Sequence, residues 1–382
     1  MHANARNSAG RSMAVLHPAF ALTGVLHAIG GPLLPSLAAT FHLNDSRSGL
    51  LFLLYFGGTS LGALFCRVKY ARNMALGFLA ISVCCLGIAA ATEPFLPPVF
   101  FMLGVSVGVP MSCVSLFVGR AFPDRCAPIL TFLNFSWSVG ALVAPLLAAQ
   151  ILMHHSYRAA YLLLALAGAV AASACGLLLE DAPDVVHPVS DPRNFTHLRL
   201  IVVFALAAFL QVGIENTAIA WLPTYALRME GSGLVMAAAS SSLYWIGFLA
   251  SRGLSSLLLL RAEPVRVFRI AVVVALTAGV LLAAWPSAVG RSVAMFLLGA
   301  ALAPIYPLII AGSIARAQHI SDSRWVLATA GFGGSVLPWL AGWISGHTGS
   351  LRLGILTIPA ALLLMVLVLP ALQDRPLASG AE

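Results

Sequence analysis

The chain alternates long apolar runs with short polar connections along its whole length. Most runs are about 20 residues long, which as a helix matches the hydrocarbon core of a bilayer. A backbone inside hydrocarbon must satisfy its own hydrogen bonds, so only helices and closed barrels span membranes. A barrel requires short segments of alternating polarity, and the runs lack that alternation. The pattern therefore predicts an all-α integral membrane protein.

Composition supports this class and argues against a nucleic-acid partner. Of the 382 residues, 60% are hydrophobic and 9% are charged, whereas a soluble domain is about 25% charged. The net charge of +8 is spread over the connections rather than concentrated in one stretch. We therefore interpret the basic residues as topology signals and predict no nucleic-acid binding.

We predict twelve transmembrane helices, an even number that puts both termini on one side of the membrane. With the N-terminus in the cytoplasm, fifteen Lys and Arg residues fall on the cytoplasmic side and five on the opposite side. This bias follows the positive-inside rule. We expect a multi-pass monomer in the lipid bilayer of a cell inner membrane, with both termini cytoplasmic. The predicted spans are 14–40, 47–66, 73–91, 97–119, 127–151, 157–179, 199–226, 234–260, 266–285, 290–314, 324–346 and 351–371.

A polar stretch divides the spans into six plus six. Its charges and prolines are typical of an exposed linker. We predict an N-terminal six-helix bundle at 1–180, a cytoplasmic linker at 181–198 and a C-terminal six-helix bundle at 199–382.

The two halves also repeat each other in sequence. Parallel repeats of this kind pack around an axis along the membrane normal, with the substrate site at mid-depth between them. The matched positions, 185 to 194 residues apart, are Gly62 and Gly247, Pro35 and Pro223, Pro110 and Pro304, and Pro145 and Pro338.

This organisation resembles a major facilitator superfamily transporter. The element Gly62-x3-Cys66-Arg67 is similar to that superfamily's motif between helices 2 and 3, with Cys66 in place of the usual Asp. The resemblance implies twelve helices in two pseudo-symmetric six-helix bundles, the major facilitator fold. It also implies alternating access to a central site.

Within the superfamily, three segments resemble the fucose permease-like group of sugar:proton symporters. They are GGPLLPSL in span 1, the VGIE and WLPTY elements of span 7, and APIYP in span 10. In span 7, Glu215, Trp221 and Tyr225 fall where the group has Glu, Trp and Tyr. In span 4, Met111 and Ser115 stand where the group often has an acidic residue and Asn. The carboxylate in the N-terminal half of fucose permeases has no equivalent here.

Glu215 is the most informative single residue. Of the 13 acidic residues, it alone lies inside a predicted span. A carboxylate in hydrocarbon costs several kcal/mol, and such residues usually mark an ion, proton or substrate path. Because desolvation favours the neutral form, we predict that Glu215 binds and releases the coupling proton. The alternative is a structural hydrogen bond between helices, worth about 0.6–2 kcal/mol.

Several polar and aromatic residues inside the spans are candidates for binding the solute. Amides offer donors and acceptors for hydroxyl groups, histidine binds or relays protons near neutral pH, and aromatic rings stack on apolar faces. For each of them, an ordinary packing or hydrogen-bonding role is the alternative. The candidates are His27, Tyr55, Asn134, Trp137, Gln211, Asn216, Trp245 and Tyr306.

Two arginines are candidates for gating. Arg67 belongs to the loop motif between spans 2 and 3, and Arg252 lies inside span 8. Arg252 precedes the loop residue Arg261 by about 13 Å of helix. It therefore either snorkels to the cytoplasmic surface or pairs with a helix end as a latch.

The sequence contains no signal for an enzyme, a metal site or a cofactor. Nucleotide-binding, zinc-hydrolase and serine-hydrolase motifs are missing from the sequence. The six cysteines show no metal-ligand spacing, and we interpret them as small core residues without a disulfide framework. The only small ion we expect is the coupling ion, a proton, with sodium as the alternative.

These features predict a secondary active transporter that imports a small hydrophilic solute. We expect a monosaccharide that enters with protons. One alternative is proton-driven efflux of an apolar or amphipathic compound, because Gly140 and Pro145 loosely resemble an antiporter motif in helix 5. A receptor that does not transport, or a membrane enzyme, is the remaining alternative.

Overall fold

The computed structural model describes residues 2–65, 69–121, 126–180, 198–231, 233–258, 261–285, 287–316 and 323–373. Apart from the short 3-10 turns Ala63–Phe65 and Glu93–Phe95, its regular elements are α-helices. The helices of the first half are α1 (His2–Ala28), α2 (Gly30–Phe41), α3 (Asp45–Gly62), α4 (Tyr70–Ala90), α5 (Leu96–Ala121), α6 (Cys126–Leu152) and α7 (Tyr157–Leu178). Those of the second half are α8 (Leu198–Glu230), α9 (Leu234–Ser240), α10 (Ser242–Leu258), α11 (Pro264–Ala284), α12 (Ala288–Leu302), α13 (Ile305–Arg316), α14 (Ser323–Thr348), α15 (Leu351–Ile355) and α16 (Thr357–Gln373).

Every predicted span coincides with a helix or with a pair of consecutive helices. Among the described residues, ten segments are long and apolar enough to cross a membrane, and the bent pair α1 and α2 makes eleven. The remaining predicted span, 324–346, corresponds to α14, which is 26 residues long and rich in glycine. The helical architecture expected from the apolar runs is therefore confirmed.

Three of the four interrupted spans break just ahead of a proline. A proline ring clashes with the carbonyl group four residues earlier and removes one helical hydrogen bond. Helix α1 ends at Ala28, four residues before Pro32, and α2 leaves it at an angle of 45°. The breaks before α13 and α16 likewise lie shortly ahead of Pro307 and Pro359. The proline positions therefore explain where these spans bend.

The two halves use the same helix pairings. In the first half, α1 packs on α6, α3 on α5 and α4 on α7. In the second half, the corresponding pairs are α8 with α14, α10 with α12 and α11 with α16. This repetition confirms two pseudo-symmetric six-helix bundles. Most of the predicted linker lies outside the described residues, so the boundaries at 180 and 199 stay predictions.

The halves meet along three lines: α3 against α14, α2 against α8, and α6 against α9 and α10. Glycines allow backbones to approach each other there. A Cβ atom added at Gly31 of α2 would lie 2.0 Å from the carbonyl oxygen of Ile219 in α8. Helices of opposite halves therefore touch backbone to backbone on the side away from the α1 N-terminus.

An ion pair joins the halves on that same side. Asn44 caps α3 by accepting a hydrogen bond from the Arg47 amide at 2.9 Å, and this positions Asp45 in the first turn. The Asp45 carboxylate accepts hydrogen bonds from both terminal nitrogens of Arg228, at 2.6 and 2.5 Å, and another from Ser345. Asp45, Arg228 and Ser345, which we call the Asp45 clasp, tie α3 to α8 and α14.

Among the cysteines whose side chains the structure describes, Cys113 differs from the sequence interpretation. Cys84, Cys85 and Cys175 are free thiols, as expected. Cys113, which is fully buried in α5, is disulfide-bonded. The expectation that all six act only as small core residues was therefore wrong for Cys113, because spacing along the chain does not reveal which helices bring two thiols together.

The Asp45 clasp predicts that Asp45→Asn destabilises the protein by about 1–3 kcal/mol. The amide has no negative charge, and only one of its two polar atoms can accept a hydrogen bond from the terminal nitrogens of Arg228. Glu93→Gln is the matched control, since Glu93 pairs with Arg47 within one half and both side chains are about half exposed. Surface pairs contribute about 0–1 kcal/mol. Thermal unfolding of both variants in detergent measures the difference, and equal losses would contradict the clasp.

The contact at Gly31 predicts that Gly31→Ala lowers the melting temperature, because the new methyl group forces α2 away from α8. Gly176→Ala is the control. Its Cβ would lie 3.6 Å from Ala75, an ordinary contact, and alanine favours a helix over glycine by up to about 1 kcal/mol. The control should unfold at an unchanged or slightly higher temperature. A Gly31→Ala variant with an unchanged melting temperature would mean that the halves do not touch at this point.

Candidate functional site

Glu215 lies in the middle of α8, on the side that faces α10 and α13. The residues that follow it in α8 are almost all fully buried, whereas Glu215 itself is half-buried. Its carboxyl group interacts electrostatically with Arg252 and Tyr244 of α10 and with Tyr306 of α13. The acid therefore lies among polar groups of its own half and not among lipid.

Arg252 turns toward this acid and does not snorkel to the surface. Its Nη1 donates a hydrogen bond to the Ser138 hydroxyl of α6 at 3.0 Å, and its guanidinium lies 4.8 Å from the centre of the Phe248 ring. The Ser138 hydroxyl donates in turn to the Asn134 carbonyl. The partner of Arg252 is thus a side chain of the other half, rather than a helix end. Its predicted gating role stays a prediction, and Arg67 lies outside the described residues.

His27 and Asn216 form a second polar contact between the halves. The Nε2 atom of His27 in α1 lies 3.3 Å from the Oδ1 atom of Asn216 in α8. The Asn216 amide nitrogen donates to the Gly334 carbonyl of α14 at 3.0 Å. Because the Oδ1 atom of Asn216 can only accept a hydrogen bond, the Nε2 atom of His27 is the donor. The buried Nδ1 atom of His27 has no hydrogen-bond partner among the described residues. His27 therefore contacts α8, the helix that carries Glu215.

An aromatic cluster adjoins these groups. The Trp137 ring of α6 lies 5.3 Å from the His27 ring and 6.0 Å from the Trp245 ring of α10. Trp137 Nε1 and the Tyr244 hydroxyl are buried and have no hydrogen-bond partner in the part of the chain that the structure describes. A buried donor without a partner costs about 1–3 kcal/mol. These two donors are therefore suited to bind a hydroxyl group that enters the site.

Three other predicted residues have partners elsewhere. The Tyr55 hydroxyl donates to the Leu26 carbonyl at 2.9 Å and ties α3 to α1. Gln211 is fully buried and donates to the Leu302 carbonyl at 3.0 Å, not to Glu215. Asn134 is exposed and donates to the carbonyl one turn earlier in its own helix. No observation tests the predicted solute contacts of these residues.

The aromatic residues Trp221 and Tyr225 of span 7 bond to backbone carbonyl groups of their own half. The Trp221 indole donates to the Pro338 carbonyl of α14 at 2.8 Å, and the Tyr225 hydroxyl donates to the Leu282 carbonyl of α11 at 3.0 Å. Both side chains are fully buried. They fix α8 within its own half, and so they set the direction in which Glu215 points.

Sequence reasoning considered Tyr244 only as an aromatic wall beside Trp245, and it did not select Ser138. A signal for Tyr244 was present, because Tyr244, Phe248 and Arg252 follow one another at intervals of four residues and so share one face of α10. For Ser138 there was no such signal. It meets Arg252 across 114 residues of sequence.

A cavity of about 670 Å³ that is largely open to the surface lies beside the N-terminal part of α1, between α1 and α6 of the first half. His17 is its polar residue, and the His17 Nδ1 atom lies 2.7 Å from the Ser136 hydroxyl of α6. The cavity is on the side of the membrane that the charge bias predicts to be cytoplasmic. It is lined by Met13, Ala14, His17, Pro18, Ile129 and Phe132.

In the part of the chain that the structure describes, no group of three or more His, Cys, Asp or Glu residues is placed to hold a metal ion. The polar groups around Glu215 are a guanidinium, phenols, an imidazole and an amide. They are suited to proton transfer and to hydrogen bonding with a neutral solute.

Known proteins resemble this chain along most of its length. A glucose/mannose transporter of Bacillus subtilis (strain 168) is 23% identical over 91% of this chain and 92% of its own. A glucose/galactose transporter of Brucella abortus biovar 1 (strain 9-941) is 25% identical over 86% of each chain. The crystal structure of a D-xylose-proton symporter superposes with a TM-score of 0.78 at 13% identity, covering 96% of this chain and 99% of the other.

The family assignment follows from the fold and from the sequence together. The repeated helix pairings give two six-helix bundles around a polar centre, and the superposition shows the same fold. The family model described as Major Facilitator Superfamily matches residues 16–321. The chain is a multi-pass membrane protein that belongs to the major facilitator superfamily of transporters.

Proposed function

We propose that this protein is a proton-coupled symporter that imports a monosaccharide across a cell inner membrane by alternating access. The observation that carries the proposal is the position of Glu215. It is the one acidic residue inside the predicted spans, and it is half-buried next to contacts between the two halves. Protonation of such a group changes the charge of the centre, which is what coupling requires.

The surroundings of Glu215 favour a proton over sodium as the coupling ion. A hard metal cation is bound by several oxygen ligands. The charged neighbour of Glu215 is instead the Arg252 guanidinium, which has no oxygen to offer. A positive charge close by repels a second cation in surroundings of low dielectric constant. A proton bound covalently to the carboxyl group needs no such set of ligands.

The chemistry of the centre favours a neutral solute with several hydroxyl groups. The buried Trp137 indole and Tyr244 hydroxyl offer donors without protein partners. The indole rings of Trp137 and Trp245 offer apolar faces on which a sugar ring stacks. The names of the two relatives, which specify glucose with mannose or galactose, support a hexose. The D-xylose-proton symporter has the same fold, and its name supports proton-coupled sugar transport as a function of this fold.

The contacts between the halves support alternating access. On the side away from the α1 N-terminus, the Asp45 clasp and the approach at Gly31 hold the halves together. On the predicted cytoplasmic side, α1 and α6 line the cavity of about 670 Å³. A carrier closed on the outer side has such contacts between its halves, and rocking of the halves would separate them.

One observation favours the alternative of proton-driven efflux. Apart from His17, the cavity beside α1 is lined by apolar residues, as a binding site for an amphipathic compound would be. Increased sensitivity to such compounds in a deletion strain, without any loss of sugar uptake, would support efflux over import.

Glu215→Gln should abolish solute-driven proton movement and concentrative uptake, while exchange of solute across the membrane persists. Glutamine keeps the shape and hydrogen-bonding capacity of the protonated acid but cannot release a proton. The measurement uses purified protein in liposomes with a pH-sensitive dye, to which hexoses, deoxyhexoses and pentoses are added one at a time. Alkalinisation outside the vesicles reports symport.

Glu263→Gln is the matched control for that experiment, because Glu263 is exposed in the connection before α11. It should transport like the unmodified protein. Concentrative uptake in Glu215→Gln that still follows the pH gradient would refute the role of Glu215. Sugar uptake that depends on sodium but not on pH would refute proton coupling.

Tyr244→Phe and Tyr55→Phe should separate a solute contact from a structural one. Loss of the Tyr55 hydrogen bond should cost stability by about 1 kcal/mol, with little change in solute affinity. Loss of the Tyr244 hydroxyl should leave the melting temperature unchanged or raise it, because that buried group has no hydrogen-bond partner among the described residues, and should weaken solute binding. Thermal unfolding and equilibrium binding of the transported sugar test both variants, and the reverse pattern would contradict the assignment.

A further inference from the structure

We propose that one water molecule binds in a small cavity beside His27 and thereby fixes the direction of the hydrogen bond from His27 to the other half. The cavity lies at the bend between α1 and α2. The water donates a hydrogen bond to the Nδ1 atom of His27, which keeps the ring hydrogen on Nε2. The inference goes beyond the proposed function, since it depends neither on proton coupling nor on the identity of the solute.

The hydrogen bonds of Asn216 determine which nitrogen of His27 carries the hydrogen. The Gly334 carbonyl can only accept, so the amide atom 3.0 Å from it is the nitrogen of Asn216, and the oxygen Oδ1 faces His27. Because Oδ1 can also only accept, the ring hydrogen of His27 is on Nε2. A neutral imidazole has one ring hydrogen, and its other nitrogen is an acceptor. Among the described residues, nothing donates to the buried Nδ1 atom, and a buried acceptor without a donor is costly.

The cavity has the size of one water molecule. Its volume is about 20 Å³, and a buried water needs about 10–15 Å³. Sites for small-molecule ligands are about 300–1,000 Å³, so a sugar ring does not fit. The walls are formed by residues of α1, α2, α3, α5 and α7 of the first half and of α8 of the second half. The cavity is therefore bordered by both halves and suits an occupant as small as water.

Polar side chains from three helices line the cavity. In the described part of the chain they are His27 of α1, Tyr55 of α3 and Tyr161 of α7. The Tyr55 hydroxyl donates its hydrogen to the Leu26 carbonyl, so its oxygen is left as an acceptor. A phenol hydroxyl such as that of Tyr161 donates or accepts. Buried waters typically make about three hydrogen bonds, and these three groups supply that number, whereas a purely apolar cavity stays dry.

Occupation of the cavity acts on the contact between the halves. While the water donates to Nδ1 of His27, the ring hydrogen stays on Nε2 and is donated to Asn216 of α8. Without that donor, the tautomer with its hydrogen on Nδ1 loses its disadvantage. The lone pair of Nε2 then faces the Oδ1 atom of Asn216, and two acceptors cannot form a hydrogen bond. Water in the cavity therefore positions His27 for its bond to the other half.

Gly30 allows a matched pair of variants that fill the cavity. A Cβ atom added at Gly30 would lie 3.5 Å from the Phe52 ring, an ordinary contact, and both residues line the cavity. Gly30→Ala brings a methyl group that excludes water and donates nothing, whereas Gly30→Ser brings a hydroxyl that can donate in its place. Alanine is the better helix former, but we expect Gly30→Ser to have the higher melting temperature. In a His27→Leu background, which has no Nδ1 atom, the order should follow helix propensity again.

Nuclear magnetic resonance of the purified, solute-free protein with isotope-labelled histidine tests the tautomer and the water directly. The chain has ten histidines, and the signals of His27 are those that disappear in His27→Gln. At mildly alkaline pH, where an imidazole is neutral, we expect the hydrogen on Nε2, an Nδ1 signal typical of a hydrogen-bond acceptor, and magnetisation transfer from water to the ring. Gly30→Ala should shift the Nδ1 signal to that of a nitrogen without a donor. Gly30→Ser should keep the Nδ1 signal but weaken the transfer from water.

A hydrogen on Nδ1 of His27 in the unmodified protein would overturn the proposal. So would an Nδ1 signal without a donor that changes only when a sugar is added, because the donor would then be a hydroxyl group of the solute. A higher melting temperature of Gly30→Ala than of Gly30→Ser, with His27 present, would also contradict it. If these variants fail to fold, the tautomer and the transfer from water in the unmodified protein decide the question. Failure of symport in the liposome assay would leave all of these outcomes unaffected.

Discussion

A carboxyl group in the middle of a membrane-spanning helix is the constraint on which the polar centre depends. Hydrocarbon around Glu215 would cost several kcal/mol, so the fold must surround it with polar groups. Arg252, Tyr244 and Tyr306 provide them from α10 and α13. These helices can approach α8 only because the second half folds into a six-helix bundle around it.

The two halves are joined by contacts of different kinds. On the side away from the α1 N-terminus, the halves meet through close backbone packing at Gly31 and through the charged Asp45 clasp. At mid-depth they meet through two hydrogen bonds, from Arg252 to Ser138 and from His27 to Asn216. A neutral hydrogen bond such as that of His27 contributes about 0.5–1.5 kcal/mol, and one that involves a charged group such as Arg252 about 1.5–3 kcal/mol. The centre thus joins the halves through single hydrogen bonds, without the backbone packing found at Gly31.

Within the motif of span 7, some residues stabilise the packing of α8 and others lie at the polar centre. Trp221 and Tyr225 donate to carbonyl groups of α14 and α11 and fix α8 within its bundle. Gln211 does the same toward Leu302. Glu215 and Asn216 face the interior, where Asn216 reaches the other half. All of them were identified from the sequence, but spacing along a helix could not tell which carbonyl groups their side chains reach.

The sequence by itself determined the twelve helical spans, the duplicated halves and the acid at mid-span, because apolar runs, prolines and charges act through local rules of helix formation and solvation. Only the tertiary structure decided the partners of the polar groups. Asp45 meets Arg228 across 183 residues, and Arg252 meets Ser138 across 114. Such pairs arise from how whole helices pack against each other, and no local pattern in the chain encodes them.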